Sequence, residues 1–263
     1  MEFRESMLSL RKGKFDIQLV EGGSGPDLLY LHGEQGFSGW APFLDALAER
    51  FHVYAPAHPG VGDSVGLEEL DDCWDLALFY EELMTTLRIE GAGVVGHSYG
   101  GMVAAELAAH RKGLVSRMAL AAPLGLWLDD TPTLDFFALT PSEEARVLWF
   151  DPEGEAAKST FVMPKDPEAR KEAMIERAKT LSSIGKFIWP IPDRGLPKRA
   201  HRIEAPTLLL WGDSDKVVPP EYGEAFKALV ANSRLEFIED CGHLPQYERP
   251  ERFVAVVSAF LGR

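Results

Sequence analysis

The amino-acid sequence predicts an α/β fold: a doubly wound, mostly parallel sheet flanked by helices, with a helical segment inserted into it. Apolar runs of strand length alternate with longer segments that carry apolar residues at helical spacing. Several of these runs are apolar throughout, which is typical of central parallel strands covered on both faces. With 263 residues, 46% of them hydrophobic, the chain can bury one sizeable core.

The predicted strands share one form, a short apolar run bounded by turn residues. In chain order they are residues 15–20, 28–33, 51–56, 93–98, 115–123, 206–212 and 234–240. The predicted helices carry apolar residues three and four positions apart. In chain order they are residues 40–50, 70–89, 100–113, 220–230 and 250–260. Because strand and helix repeat in this order, the sheet is expected to be doubly wound and parallel.

One segment, from about residue 125 to residue 200, interrupts the alternation. It contains no strand-like run, but it contains two clear helix starts. Thr140, Pro141 and Glu143 form a capping-box pattern, and Asp166 before Pro167 is typical of an N-cap followed by proline in the first turn. We therefore predict a core of residues 1–124 and 201–263 and a helical lid (cap) of residues 125–200 above the carboxyl edge of the sheet.

Charge and cysteine content limit the function classes. A formal net charge of −14 argues against a basic surface for nucleic acids. No long apolar run or leader-like N-terminus is present, so a cytoplasmic protein without a membrane partner is expected. The two cysteines, Cys73 and Cys241, predict buried thiols, and no ligand spacing indicates a metal. The expected partner is a small molecule, and the sequence leaves the oligomeric state open.

The stretch "VVGHSYGG", residues 94–101, indicates a nucleophile at Ser98. It follows an apolar run and precedes a helical pattern, which is the strand–turn–helix context of a G-x-S-x-G motif. Small residues are needed there because the turn brings strand and helix backbones together. The start of the helix would also direct backbone N–H groups at an anion formed beside Ser98.

A nucleophilic serine requires a base and a carboxylate that orients it, and on such a turn the acid precedes the histidine along the chain. "LLLWGDSDKVVPPEYG" supplies Asp213 and Asp215 directly after a predicted strand. "FIEDCGHLPQYERPERF" supplies His243 after the next strand. All three loops leave the same edge of the sheet, which favours a triad with either aspartate.

Two backbone amides are expected to form an oxyanion hole, those of Tyr99 and Glu34. Tyr99 follows the nucleophile, and Glu34 lies in "HGEQGFSGW" after the strand of residues 28–33. His32 in the same loop is interpreted as a structural histidine. A carboxylate near an oxyanion is repulsive unless it points away or stays protonated, so the position of the Glu34 side chain is left open.

The motifs "YLHGEQGFSGW", "APAHPGVGDS", "GVVGHSYGGMVA", "LLLWGDSDKVVP" and "CGHLPQYERPERF" resemble the α/β-hydrolase superfamily in its lid-bearing branch. The resemblance covers essentially the whole core but not the lid. It implies that Asp215, the second aspartate of its loop, faces the histidine. Haloalkane dehalogenases and epoxide hydrolases hold aspartate at the nucleophile position, so Ser98 implies acyl-transfer chemistry without a cofactor. Leu244 departs from the tryptophan usual in carbon–carbon hydrolases of ring-fission products.

The predicted function is a serine hydrolase, a carboxylesterase that cleaves an ester or related acyl compound with a small to medium hydrophobic or aromatic group. Its partners would be that acyl substrate and water. A carbon–carbon hydrolase, a perhydrolase-like enzyme and a ligand-binding receptor on the same fold remain alternatives. The expected pocket candidates are large apolar residues of the lid and of the histidine loop: Trp127, Phe136, Phe137, Trp149, Phe187 and Leu244.

Overall fold

The computed structural model describes residues 2–262, whose strands form an eight-stranded sheet. The strands are β1 (Phe3–Leu10), β2 (Phe15–Gly23), β3 (Asp27–Leu31), β4 (His52–Pro56), β5 (Ala92–His97), β6 (Val115–Ala121), β7 (Thr207–Gly212) and β8 (Ser233–Ile238). They are ordered β1-β2-β4-β3-β5-β6-β7-β8 across the sheet. β3 to β8 pair in parallel, whereas β2 pairs antiparallel with both β1 and β4. The predicted mostly parallel sheet is therefore confirmed.

Helices cover both faces of the sheet. They are α1 (Pro42–Ala48), α2 (Cys73–Leu87), α3 (Tyr99–His110), α4 (Pro141–Leu148), α5 (Glu155–Ser159), α6 (Pro167–Ile188), α7 (Leu196–Arg199), α8 (Glu221–Leu229), α9 (Pro245–Glu248) and α10 (Pro250–Leu261). Single 3₁₀ turns lie at Arg11–Gly13, Leu67–Glu69, Phe136–Ala138 and Ala200–Arg202. One apolar core packs α1 and α10 against the sheet, and a second packs α2, α3 and α8 against the other face. This is the doubly wound arrangement.

β1 is the strand that the apolar pattern does not reveal. Its sequence, "FRESMLSL", lies mostly at the surface, and Leu10 is its buried position. It forms because each of its eight residues pairs with a residue of β2 across a hairpin. Pairing of backbone groups, rather than burial of side chains, thus holds this edge strand in place.

The inserted segment, residues 125–200, lies between β6 and β7 and contains α4 to α7 with no strand. Both predicted helix starts are confirmed. Thr140 and Glu143 form the reciprocal capping box of α4, and the Asp166 carboxylate accepts from the Ala169 N–H at 3.0 Å at the start of α6. That this segment acts as a lid stays a prediction.

α6 is tied to the loop that follows β4. Ser183 Oγ donates to the Gly60 carbonyl at 2.8 Å, and the Gly62 N–H donates to a Glu176 carboxylate oxygen at 3.0 Å. Lys186 Nζ donates to the Leu67 carbonyl at 3.1 Å. The long helix of the inserted segment therefore rests on the core through polar contacts to backbone. Across residues 2–262, no helix combines the length and the apolar character needed to span a membrane.

Candidate active site

Ser98 lies at the turn between β5 and α3, as the sequence predicts. Its backbone has φ 49° and ψ −113°, a conformation that L-residues rarely adopt and that costs about 1–3 kcal/mol. The Ser98 N–H donates to the Ala121 carbonyl at 2.9 Å, which helps to hold the turn. A Cβ at Gly96 would lie 2.5 Å from the Gly100 carbonyl oxygen, so the strand and helix can approach only without it. The side chain of Ser98 is fully buried.

Asp215 and His243 meet at the carboxyl edge of β7 and β8. His243 Nδ1 lies 2.7 Å from Asp215 Oδ2, and both side chains are fully buried. The other carboxylate oxygen of Asp215 accepts from the N–H groups of Val217 and Val218 at 2.8 and 3.0 Å. Asp215 is thus fixed on both oxygens, and it in turn fixes the ring of His243.

Asp213, the alternative acid, binds loop residues instead of the imidazole. Its carboxylate accepts from Ser214 Oγ at 2.9 Å and from the N–H groups of Asp240 and Cys241 at 3.3 and 3.4 Å. These contacts connect the loop after β7 to the loop that carries His243. Asp213 therefore supports the histidine loop and does not contact the imidazole.

The Glu34 side chain, which the sequence left unplaced, points into the site. Its Oε1 lies 3.2 Å from His243 Nε2, and neither side chain is more than 1% exposed. Its second oxygen, Oε2, has no hydrogen-bond partner, and neither Ser98 Oγ nor His243 Nε2 has one, so the contact between Glu34 and His243 is an ion pair without hydrogen-bond geometry. The Ser98 hydroxyl lies close enough to Glu34 to contribute to the lowered pKa of that carboxyl. The carboxylate of Glu34 therefore contacts His243 Nε2, the nitrogen to which a nucleophilic serine would donate its hydrogen bond.

The charges of this group follow from burial and from the two carboxylates. Burial by itself lowers the pKa of His243, but the charges of Asp215 and Glu34 and the hydrogen bond to Asp215 outweigh burial and raise it to about 10. Burial by itself raises the pKa of Glu34, but the charge of the nearby His243 outweighs burial and holds it well below its usual range. At neutral pH the site thus contains an imidazolium between two carboxylates. The Glu34 carboxylate could avoid repelling an oxyanion in two ways, by pointing away or by staying protonated. It does neither.

Two buried histidines, His32 and His58, form hydrogen bonds that stabilise the loop after β3. His32 Nδ1 lies 2.9 Å from the Gly33 carbonyl, which confirms His32 as structural. The His58 N–H donates to His32 Nε2 at 3.1 Å, and His58 Nε2 donates to the His32 carbonyl at 2.9 Å. Burial lowers the pKa of His32 to about 4, so its ring is neutral. The loop that carries the Glu34 amide is therefore rigidly supported.

Tyr99, which carries the second amide predicted for the oxyanion hole, is the first residue of α3. The first N–H groups of a helix have no partner within the helix and are free to bind an anion. Its side chain is buried and its ring lies 4.8 Å from that of His58, centroid to centroid. The start of α3 is thus packed against the loop after β4, whose His58 in turn contacts His32 of the loop after β3.

The inserted segment contacts the histidine loop directly. The His243 N–H donates to the Leu148 carbonyl at 2.8 Å. The Glu248 carboxylate accepts from the Gly242 N–H at 2.9 Å and from the Phe150 N–H at 2.7 Å, so it connects the two segments. A Cβ at Gly242 would lie 2.7 Å from the Leu148 carbonyl oxygen, which shows how closely the two backbones approach.

The sequence profile of the "Alpha/beta hydrolase family" matches residues 28–256. The chain belongs to this family. A 2-hydroxy-6-oxononadienedioate/2-hydroxy-6-oxononatrienedioate hydrolase of Paraburkholderia phymatum is 30% identical, over 90% of this chain and 87% of that protein. The solved structure of a membrane phospholipase A is similar with a TM-score of 0.78 and 29% identity, over 99% of this chain and 86% of that one. A mutant of the meta-cleavage product hydrolase CumD shares the fold with a TM-score of 0.78 at 20% identity, over 98% and 97% of the two chains.

A cavity of about 700 Å³ lies in this α/β hydrolase between α4, α6 and the loops after β3 and β4. We call it the large cavity. Its wall includes Gln35 and Trp149 but neither Ser98 nor His243. Gln35 lies on this wall, whereas the neighbouring Glu34 contacts His243, so these two residues link the cavity wall to the site.

The pocket candidates lie in different places. Trp149 lines the large cavity. Trp127, Phe136 and Phe137 line a separate cavity of about 160 Å³. Phe187 is buried and stacks on the Tyr99 ring, with centroids 6.4 Å apart, and Leu244 is fully buried beside His243. Of the six candidates, Trp149 is thus the one on the wall of the large cavity.

The site also contains residues that the sequence analysis did not select. Arg177 of α6 donates to the Glu34 carbonyl and pairs with Glu144, and Gln35 Nε2 donates to Glu144 at 3.0 Å. No motif marks Arg177 or Glu144, because each is one of many charged residues in a polar helix. Glu248 could have been suspected, since "YERPER" places a carboxylate five residues after His243.

Proposed function

We propose that this protein is a serine hydrolase that cleaves a carboxylic ester or a related acyl compound with Ser98, His243 and Asp215 as its triad. The observation that carries the proposal is the 2.7 Å contact of His243 with Asp215 beside a serine whose φ is 49°. This combination of a strained serine turn with an aspartate-oriented histidine is the arrangement that acyl transfer requires. Membership of a hydrolase family supports it.

In the proposed reaction, which requires the neutral form of His243, Ser98 Oγ attacks the substrate carbonyl while His243 Nε2 takes its proton. Asp215 holds the imidazole and stabilises its charged form. The Tyr99 and Glu34 amides stabilise the oxyanion, a contribution of about 3–4 kcal/mol for each donor. His243 then protonates the leaving alcohol, and water hydrolyses the acyl-enzyme with His243 again acting as the base. The partners are a small acyl substrate and water, and no cofactor takes part.

The charges of the large cavity favour an uncharged substrate. Its wall is mostly apolar, and its charged residues are Asp63, Glu144, Glu176 and Arg177. The inserted segment as a whole nearly balances its charges, with 11 basic against 13 acidic residues. Its cavity does not, because three acids face one arginine. A neutral ester with a hydrophobic or aromatic acyl group fits such a wall better than a dicarboxylate does.

A second candidate is hydrolysis of a carbon–carbon bond. The Paraburkholderia phymatum relative at 30% identity is by its name a dienedioate hydrolase, and such a reaction can use the same serine, histidine and aspartate. Two features of this chain weigh against it: the acidic wall of the cavity, and Leu244 after the histidine where such enzymes usually have tryptophan. We therefore rank it below the ester hydrolase.

The test combines covalent labelling with turnover. Purified protein is treated with a fluorophosphonate and then assayed on a panel of nitrophenyl esters and on a ring-fission dienoate. We expect labelling and ester turnover, both lost in Ser98→Ala. A folded protein that neither reacts with the fluorophosphonate nor turns over any ester would contradict the proposal and favour a receptor. Faster turnover of the dienoate than of every ester would favour the second candidate.

A further inference from the structure

Two side chains compete for one atom in this site. His243 Nε2 is the nitrogen that Ser98 Oγ must contact before it can attack, yet the atom 3.2 Å from it is Glu34 Oε1. Ser98 Oγ is left without a hydrogen-bond partner although it is fully buried. A buried hydroxyl without a partner is costly, and the ion pair of Glu34 with His243 is what this site has in place of a hydrogen bond between Ser98 and His243.

We propose that Glu34 is a further residue of the reaction centre, whose carboxylate occupies His243 Nε2 in the resting protein and must leave it before Ser98 can be activated. This inference rests on the proposed function for the identity of the nucleophile. The Glu34 amide keeps its separate role in the oxyanion hole, so one residue would supply both a donor for the oxyanion and a carboxylate that restrains the base.

The energetics indicate why the carboxylate restrains the reaction. Glu34 stabilises the imidazolium, but that imidazolium already exists in the resting state, so the stabilisation does not lower the barrier. The repulsion between the carboxylate and the oxyanion arises only in the transition state. A contact that favours the ground state and disfavours the transition state slows the first chemical step.

The other groups that face His243 do not replace Glu34 in this role. Asp215, after β7, contacts Nδ1 and not Nε2. His97, at the end of β5, has its ring centroid 4.9 Å from that of His243, and burial lowers its pKa to about 4, so it is neutral. Glu248 of α9 binds the backbone of Gly242 and not the imidazole.

The groups around Glu34 connect it to the inserted segment. His32, beneath it in the same loop, is neutral, and burial raises the pKa of Tyr30, at the end of β3, well above its usual value. From the other side, Arg177 donates to the Glu34 carbonyl and pairs with Glu144. A movement of α6 on substrate entry would change the contacts of this loop and is therefore the motion that could release the carboxylate.

The direct test measures the pKa of His243 in the absence of any substrate. Imidazole nitrogens are labelled with ¹⁵N and titrated by NMR in the wild-type protein and in Glu34→Gln, with the resonance assigned by its loss in His243→Gln. Glutamine keeps the length of the side chain and the backbone donor but removes the anion that favours the imidazolium. We expect the pKa of His243 to fall by about 1–3 pH units.

Glu176→Gln is the control, since Glu176 is an acid on the wall of the large cavity whose carboxylate accepts from the Gly62 N–H and does not contact His243. It is expected to leave the pKa of His243 unchanged. An unchanged pKa in Glu34→Gln, or an equal fall in both variants, would overturn the inference. Glu34→Asp, one methylene shorter, provides a second measurement should Glu34→Gln fold poorly; it is expected to lower the pKa of His243 as well.

The pH dependence of kcat/KM for nitrophenyl butyrate supplies the second readout. Because neutral His243 is the active base, the rate falls as the pH drops below the pKa of His243. Removing the Glu34 anion lowers that pKa, so the acid limb should move to lower pH in Glu34→Gln and the rate at pH 7 should rise. An acid limb that does not move would contradict the inference. If the wild-type protein showed no turnover that Ser98→Ala abolishes, the proposed function alone would be contradicted. The NMR titration of His243 would still test the role of Glu34.

Discussion

The pair Asp215–His243 and the serine Ser98, the proposed acid–base and nucleophile halves of the site, differ in how completely they are assembled. Asp215 and His243 form a 2.7 Å contact, and Asp215 is further held by two backbone N–H groups. The strained turn also fixes the position of Ser98, yet its hydroxyl has no hydrogen-bond partner. The missing contact is the one between the two halves, and Glu34 occupies its place.

The positioning of these side chains and the activation of Ser98 are therefore separate properties of this site. Positioning comes from backbone: strand ends, a helix start and two loops at one edge of the sheet. Activation depends on which side chain contacts His243 Nε2, and a carboxylate there is a stronger partner for an imidazolium than a neutral hydroxyl.

The largest effect is expected from removing the acid in the assembled half. Asp215→Asn should lower kcat by about 10,000-fold, because an amide cannot hold the required tautomer of His243. Asp213→Asn is the control, since Asp213 contacts backbone of the histidine loop and not the imidazole. It should lower kcat less than about 10-fold. Steady-state kinetics on a nitrophenyl ester compare the two, and equal losses would contradict the assignment of Asp215.

Backbone positions were largely predictable from the sequence, whereas side-chain directions were not. The serine turn, both helix caps of the inserted segment and the seven apolar strands follow from local patterns. The Glu34 side chain does not, because nothing in "HGEQG" says whether its carboxylate turns toward solvent or toward a histidine more than 200 residues away in the chain. Similarly, β1 was missed because an edge strand held by backbone pairing needs no apolar pattern.

A smaller effect is expected where the inserted segment meets the histidine loop. Glu248→Ala removes the acceptor of both the Gly242 and the Phe150 N–H groups. Leaving such donors unpaired costs about 1–3 kcal/mol, so the free energy of unfolding should fall by that amount. Glu251→Ala, at an exposed position of α10, serves as the control and should change it by less than about 0.5 kcal/mol. Urea denaturation measures both, and equal losses would mean that Glu248 does not connect the segments.

The strain at the nucleophile can be measured as stability. Ser98→Ala keeps a Cβ at φ 49°, whereas Ser98→Gly removes it and adopts this backbone without penalty. Both variants lose the hydroxyl and should be inactive. Despite the greater flexibility of glycine in the unfolded chain, we expect Ser98→Gly to be more stable than Ser98→Ala by about 1 kcal/mol. Thermal unfolding compares them, and a less stable glycine variant would show that the turn carries no strain.

The smallest effect concerns the acyl chain, because it tests whether the large cavity serves the nucleophile at all. The cavity has about 700 Å³ and a mostly apolar wall, which includes Gln35 but not Ser98. If a displaced Glu34 opens the way, each methylene that enters should contribute about 0.8 kcal/mol, or up to about 4-fold in kcat/KM.

We therefore expect kcat/KM to rise over a few carbons in a series of nitrophenyl esters from acetate to palmitate and then to fall when the cavity is full. Thr180, on the cavity wall beside Gly36, offers a direct variant: Thr180→Phe should remove the rise for the longer acyl groups and leave the acetate rate nearly unchanged. A rise that continues to palmitate would mean that the chains leave the protein by another route. A series in which wild type and Thr180→Phe respond alike would mean that the acyl group binds elsewhere, and the separation of the large cavity from Ser98 would then be permanent rather than dependent on Glu34.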